Sequence, residues 1–155
     1  MNYMITGATG FVGSQLVHTL LSQGQSVNYV GRKRSTSLDS RAAYHRWDMA
    51  EEPPLDSLGR LDAIIHLAGE PVSQRWNTDV KKRIYSTRVE STRKLVWGIA
   101  GLKHKPQVLV SASAIGYYGD RGDEVLTEDS GPGTGFLADL CVAWEREAAR
   151  AREFG

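Results

Sequence analysis

Cys141 is the only cysteine in 155 residues, which excludes an internal disulfide and fits a reducing compartment. Long apolar runs are missing as well. No stretch approaches the roughly 20 residues of a membrane span, and the amino terminus lacks a basic segment followed by an apolar signal core. Neither sign of charge is in excess. Nineteen Lys and Arg against eighteen Asp and Glu leave a net charge of +1, so no general nucleic-acid or anionic-membrane surface is expected. No His/Cys/Asp cluster has metal-ligand spacing, so no metal site is expected. No Gly-x-x-x-x-Gly-Lys-Ser/Thr element occurs, which excludes an ATPase phosphate loop. Lysine does not recur after Lys105. The rest of the composition is ordinary, 41% hydrophobic and 24% charged, in a chain long enough for one domain with a real core. A cytoplasmic protein is expected.

The chain is organised around Met4-Ile5-Thr6-Gly7-Ala8-Thr9-Gly10-Phe11-Val12-Gly13. A short apolar strand over 3–6 runs into three glycines spaced Gly-x-x-Gly-x-x-Gly, and a helical pattern opens at Ser14 and ends at Gly24. Glycines permit a tight turn and close approach of a ligand, while a helix N-terminus offers free N–H groups to an anion. The loop is therefore expected to hold the pyrophosphate of a dinucleotide.

Further strands are expected over 26–30, 44–47, 63–67 and 107–111, with long helices over 78–100 and 136–153. Strands and helices alternate, and the strands are short and apolar. That order predicts an α/β fold, a doubly wound parallel sheet of about five strands with flanking helices. Residues 1–155 read as one dinucleotide-binding domain that stops before a sixth strand, with the substrate lobe missing. Strand five is then an edge open to self-association.

At the end of strand two an acidic residue would favour NAD(H), and an arginine accommodates a 2′-phosphate. Here stand Gly31-Arg32-Lys33-Arg34, with no carboxylate before Asp39. Arg32 can fork onto a phosphate. The expected cofactor is NADP(H) rather than NAD(H). Asp48 suits either an adenine amino group or a turn. Leu67-Ala68-Gly69 are small enough at the end of strand four for a ligand to lie against backbone. His66, just before them, reads as a packed, hydrogen-bonded core residue. Ser111 and Ala112, at the end of strand five, are expected to line the cofactor; Ser113, Tyr117 and Tyr118 follow, and the serine and tyrosine hydroxyls here can polarise a carbonyl or move a proton. Cys141 and Trp144 read as packing residues.

Thr6-Gly7-Ala8-Thr9-Gly10-Phe11-Val12-Gly13, Leu67-Ala68-Gly69 and Ser111-Ala112-Ser113 before Tyr118-Gly119 resemble the short-chain dehydrogenase/reductase superfamily in its extended or atypical branch. More narrowly, Gly69-Glu70-Pro71-Val72, Arg75-Trp76, Ser86-Thr87-Arg88-Val89-Glu90-Ser91-Thr92-Arg93 and Ser111 to Asp120 are similar to an epimerase/dehydratase-like family labelled in part as cell-division inhibitors. The resemblance implies a Rossmann fold, a bound NADP(H) and a chain about twice this length. It also implies chemistry on a small molecule such as a nucleotide sugar or a carbonyl compound.

One departure limits that implication. The superfamily's Tyr-x-x-x-Lys pair falls here on Phe136 and Leu140, or one residue on, Leu137 and Cys141. The proton-transfer pair is therefore not carried over. Ser113 (or Ser111) and one of Tyr117 and Tyr118 are the remaining catalytic candidates, with Lys81, Lys82 or Arg88 as the cation that would activate the tyrosine. The other reading is a sensor or interaction module that binds NADP(H) without chemistry.

Overall fold

The computed structural model describes residues 1–154; Gly155, the end of the expected domain, lies outside them. Five strands, β1 (Asn2–Thr6), β2 (Ser26–Gly31), β3 (Ala43–Arg46), β4 (Ala63–His66) and β5 (Val108–Ser111), form one sheet in the order β3-β2-β1-β4-β5. Every pairing is parallel, with Ile5 opposite Tyr29 on one side and Ile65 on the other. The chain winds outward from β1 in both directions, as the alternating pattern predicts.

Successive residues of β1 point to opposite faces and both faces are covered. Met4 enters a core with Val30, Trp47, Leu55, Ile64, Leu95 and Ile99. Ile5 enters the other, with Val17, Leu20, Leu21, Val27 and Tyr29. This two-sided burial is why the strands read as continuous apolar runs rather than as alternating ones. Burying a side chain such as Ile5 completely contributes about 2 kcal/mol.

Helix α1 spans Phe11–Ser22 and so starts three residues before the pattern opens at Ser14. Phe11 and Val12 are 91% and 63% exposed, so the first turn lies outside the buried stripe that periodicity detects. The region expected as one helix over 78–100 is α2 (Thr78–Tyr85), a π-helical turn over Ser86–Glu90 and α3 (Ser91–Gly101), without a break in the chain direction. Thr87 Oγ1 donates to Arg83 O at 2.8 Å and Ser91 Oγ donates to Thr87 O at 2.8 Å. Such side-chain bonds to the backbone compete with the regular ladder, and they mark the wider turn here. Helix α4 (Phe136–Ala149) tightens into a 3₁₀ turn over Arg150–Phe154. Val80, Ile84 and Val89 meet Leu140 and Trp144, docking α4 on the π-turn region.

Strand β5 is one edge of the sheet and β3 the other, and Val108 and Val110 on β5 are 46% and 48% exposed. No helix among the described residues is long and apolar enough to cross a membrane.

Candidate functional site

The glycine loop leaves β1 at Gly7 with φ +69, a left-handed turn. A Cβ on Gly7 would lie 2.8 Å from both Ala68 N and Leu67 C, so the turn presses against the end of β4. A Cβ on Gly13 would lie 2.3 Å from Gly7 O. Gly13 therefore lets α1 sit directly on the loop that precedes it. Gly10 N donates to Gly7 O at 3.0 Å and Gly10 is the N-cap of α1. Behind it, the N–H groups of Phe11, Val12 and Gly13 have no acceptor on the preceding turn.

A cleft of about 710 Å³ opens at this point along the C-terminal edge of the sheet. Gly7, Thr9 and Gly10 line its floor, Arg32, Lys33 and Arg34 one end, Asp48 and Met49 a side, and Leu67, Ala68 and Gly69 the wall toward β4. Phe11, Val12 and Gly13 follow directly at the head of α1. Arg32, Lys33 and Arg34 are exposed. The first carboxylate after them, Asp39, is held by Arg41 at 2.7 Å, and that hydrogen bond keeps its carboxyl at about 2, below the ordinary value. No carboxylate pairs with Arg32, Lys33 or Arg34 among the described residues. Asp48 Oδ1 accepts from Ala50 N at 3.0 Å, closing a turn that carries Met49 at φ +70. Asp48 thus serves as a turn residue while it lines the cleft. A left-handed Met costs about 1–2 kcal/mol.

The wall at Leu67–Gly69 is fixed from behind by a buried polar chain. Thr6 Oγ1 accepts from Leu67 N and Ala68 N, both at 3.1 Å. With those contacts made, its own proton is directed to His66 Nδ1, 2.7 Å away. The imidazole then carries its hydrogen on Nε2, which makes a long 3.5 Å contact to Ser91 Oγ. Thr6, His66 and Ser91 are all fully buried. Burial pushes the His66 pKa down to about 4, so the ring is neutral near pH 7. His66 is the packed core residue that its apolar surroundings predict. Its part in holding the cleft wall has no sequence signal beyond its place before Leu67. The next residues are held as firmly: Glu70 N donates to Thr87 Oγ1 at 2.9 Å and Arg88 Nη1 donates to Glu70 O at 2.8 Å. The π-turn presents consecutive side chains to the backbone N–H and C=O of one residue, Glu70. Thr87 and Met49 are cleft residues that the sequence reading did not single out.

The residues after β5 lie elsewhere. Ser111 and Ala112 line a separate hollow of about 520 Å³ between β5 and α4, with Glu145. Ser113 is exposed and its hydroxyl donates to Glu145 Oε1. Tyr117 and Tyr118 stack edge to face at 5.2 Å. Among the described residues neither ring has a cation over it; Lys81 lies 5.2 Å from the Phe136 ring centre and Arg88 5.4 Å from that of Trp144. Two of the three candidate cations, Lys81 and Arg88, thus lie over aromatic rings of α4. A more open hollow of about 780 Å³ lies on the outer face of α2, around Trp76, Lys81 and Phe136. It is larger but includes no backbone of the glycine loop, so the phosphate-binding chemistry belongs to the smaller cleft. Among the described residues no group of His, Cys, Asp and Glu is placed to hold a metal.

The profile of the NAD dependent epimerase/dehydratase family matches residues 3–150. The chain belongs to that family. It is 35% identical over 155 residues to the epimerase family protein SH2119 of Staphylococcus haemolyticus, covering 99% of this chain and 51% of that protein. The chain thus spans about half the length of the curated relatives it matches. Among solved structures, a nucleoside-diphosphate sugar epimerase from Corynebacterium glutamicum superimposes with a TM-score of 0.81 at 36% identity, over 100% of this chain and 32% of that one. The human epimerase family protein SDR39U1 (isoform 2), solved with NADPH, gives a TM-score of 0.78 at 28% identity, over 96% of this chain and 48% of that one. The doubly wound sheet of this family is the fold expected from the strand order.

Proposed function

We propose that this chain is the NADP(H)-binding half of an epimerase/dehydratase-like or reductase-like protein that acts on a small molecule such as a nucleotide sugar or a carbonyl compound. The observation that carries the cofactor choice is the basic end of the cleft, where three cations follow β2 and the first carboxylate beyond them is already paired with Arg41. The human relative solved with NADPH supports the same choice. In this reading the first-turn N–H groups of α1 meet the pyrophosphate, Arg32 forks onto the 2′-phosphate, Asp48 faces adenine, and Ala68 and Gly69 lie along the nicotinamide ribose. When bound, the dinucleotide would supply hydride transfer, and the chain would hold and orient it.

Arg32→Ala is expected to weaken NADPH binding about tenfold or more, the worth of a charge-assisted phosphate contact, and to leave NADH binding nearly unchanged. Fluorescence titration with both cofactors checks this. Wild-type preference for NADH would sink the Arg32 assignment.

A non-catalytic sensor is the second reading. It is favoured by Phe136 and Leu140 in place of the usual pair. If the protein is an enzyme using Ser113 with one of these tyrosines, NADPH consumption on a panel of carbonyl compounds and nucleotide sugars falls at least about a hundredfold in the Tyr117→Phe, Tyr118→Phe double variant. NADPH binding without turnover by the full-length wild type selects the sensor instead.

A further inference from the structure

Four arginines are half-buried: Arg88, Arg93, Arg121 and Arg150. Arg93 and Arg150 share Glu147, at 2.9 and 3.3 Å, and Arg121 pairs with Glu124. Arg88 has no carboxylate partner among the described residues. The nearby acid, Glu70, turns its carboxylate toward Gln74 and Arg83, at 3.3 and 3.7 Å, and offers Arg88 only its backbone oxygen. That bond uses Nη1. The guanidinium lies against the Trp144 ring on one side and beside Gly69 on another, where an added Cβ would come within 2.8 Å of Cζ. The Nε–H and Nη2–H groups have no partner among the described residues, and in a guanidinium these two point in parallel as a fork. Trp144 adds a second unmet donor: its Nε1 is the one buried side-chain polar atom without an acceptor among the described residues. An indole with its one N–H unmet and a guanidinium with only Nη1 bonded are thus packed together.

The position matters as much as the chemistry. Arg88 stands between the segment Leu67–Pro71, which forms a wall of the cleft, and α4, whose Cys141 approaches Ala114 after β5. That is the C-terminal edge of the sheet, between β4 and β5, where ligands of open α/β sheets sit. We propose that Arg88 anchors a carboxylate of the small molecule bound beside the β4 end of the cleft. The inference rests on the reading of the cleft as the dinucleotide site. A carboxylate suits the place better than a phosphate. The free edge of the guanidinium offers two parallel N–H groups in one plane, and the Trp144 ring lies against the guanidinium. A planar group accepts both bonds in that plane, whereas a tetrahedral one carries oxygens out of it.

The test uses malonate and inorganic phosphate as probes, with and without saturating NADPH, and follows the Trp144 indole N–H resonance, assigned with Trp144→Phe. Malonate is expected to shift it saturably in the wild type. Its affinity falls about tenfold or more in Arg88→Met, which keeps the stem but not the charge, and less in Arg88→Lys, which keeps the charge but not the fork. Phosphate binds at least about tenfold more weakly than malonate. Equal malonate affinity in wild type and Arg88→Met overturns the assignment, as does tighter binding of phosphate. If Arg88→Met does not fold, the Arg88→Lys loss and the malonate preference of the wild type still decide it. NADPH titration of the same samples separates the two claims. Failure of the wild type to bind NADPH removes the dinucleotide reading, whereas NADPH binding with no malonate response removes the carboxylate site alone.

Discussion

Gly13→Ala is expected to destabilise the protein by about 3 kcal/mol and to weaken NADPH binding by at least about tenfold. The methyl group would lie 2.3 Å from Gly7 O and 2.8 Å from Ala8 Cα, and both are backbone atoms of the glycine loop. Neither can swing aside as a side chain does. Relief requires α1 to lift from the loop, which moves the first-turn N–H groups away from the phosphate position. Gly101→Ala is the control. Gly101 too is a helical glycine, the last residue of α3, but a Cβ there meets nothing within 4 Å. That change is expected to be neutral or stabilising by up to about 1 kcal/mol, from helix propensity alone. Urea unfolding of both variants with NADPH titration checks the contrast. Similar stability of Gly13→Ala and wild type would show that the loop is not tightly seated on the helix.

The second large effect is acid sensitivity from His66. Its folded-state pKa is about 4 against an ordinary 6.5, because burial disfavours the imidazolium. Between these values the unfolded chain takes up a proton that the folded protein refuses, so stability falls as the pH falls. The contribution is fully present above pH 6.5 and is lost as the pH drops through 4. It amounts to about 3 kcal/mol over that window. His45 is shifted in the same direction, also by burial, and adds to the trend. The Glu147 carboxyl is held below its ordinary value by Arg93, so its contribution is lost at the acid end of the range. In His66→Gln the part due to the imidazole disappears, and the slope of unfolding free energy between pH 6.5 and 4 becomes shallower. Chemical denaturation across that range measures it. Parallel slopes for wild type and variant would mean that His66 is not neutral and buried in the folded state. Protonation also turns Nδ1 from acceptor to donor and breaks its bond from Thr6, so NADPH affinity is expected to decline together with stability.

The strands were legible because all are short and the ones at the centre are largely apolar and covered on both faces. Met4 and Ile5, adjacent in sequence, belong to different cores, and only a parallel sheet between helices buries both. The glycine spacing was legible for a related reason: Gly7 and Gly13 stand where backbone meets backbone, and no other residue type fits. Arg32, Lys33 and Arg34 could be read because the chain places them directly after β2. The helix breakpoints were less visible. Phe11 and Val12 begin α1 outside its buried stripe, and the π-turn at Ser86–Glu90 preserves the apolar spacing on either side.

The catalytic candidates mark where sequence reasoning ran out. Ser113 follows a strand end, as a reactive serine would, yet its hydroxyl turns to Glu145 on α4. Lys81 and Arg88, candidates for an activating cation, lie over the Phe136 and Trp144 rings on α4. Side-chain partners across 30 to 60 residues depend on how helices rotate and dock, and local pattern does not encode that rotation.

The sequence by itself determined the parallel sheet, the glycine loop at its centre and the basic end of the cleft, since burial on two faces, close backbone approach and charge are properties of neighbours along the chain. The tertiary structure alone decided that Thr6, His66 and Ser91 brace one cleft wall and that Arg88 is left without a carboxylate. Thr6 and His66 are 60 residues apart, and packing brings their side chains to 2.7 Å. Only burial, which removes water as an alternative partner, makes such distant polar groups answer to one another.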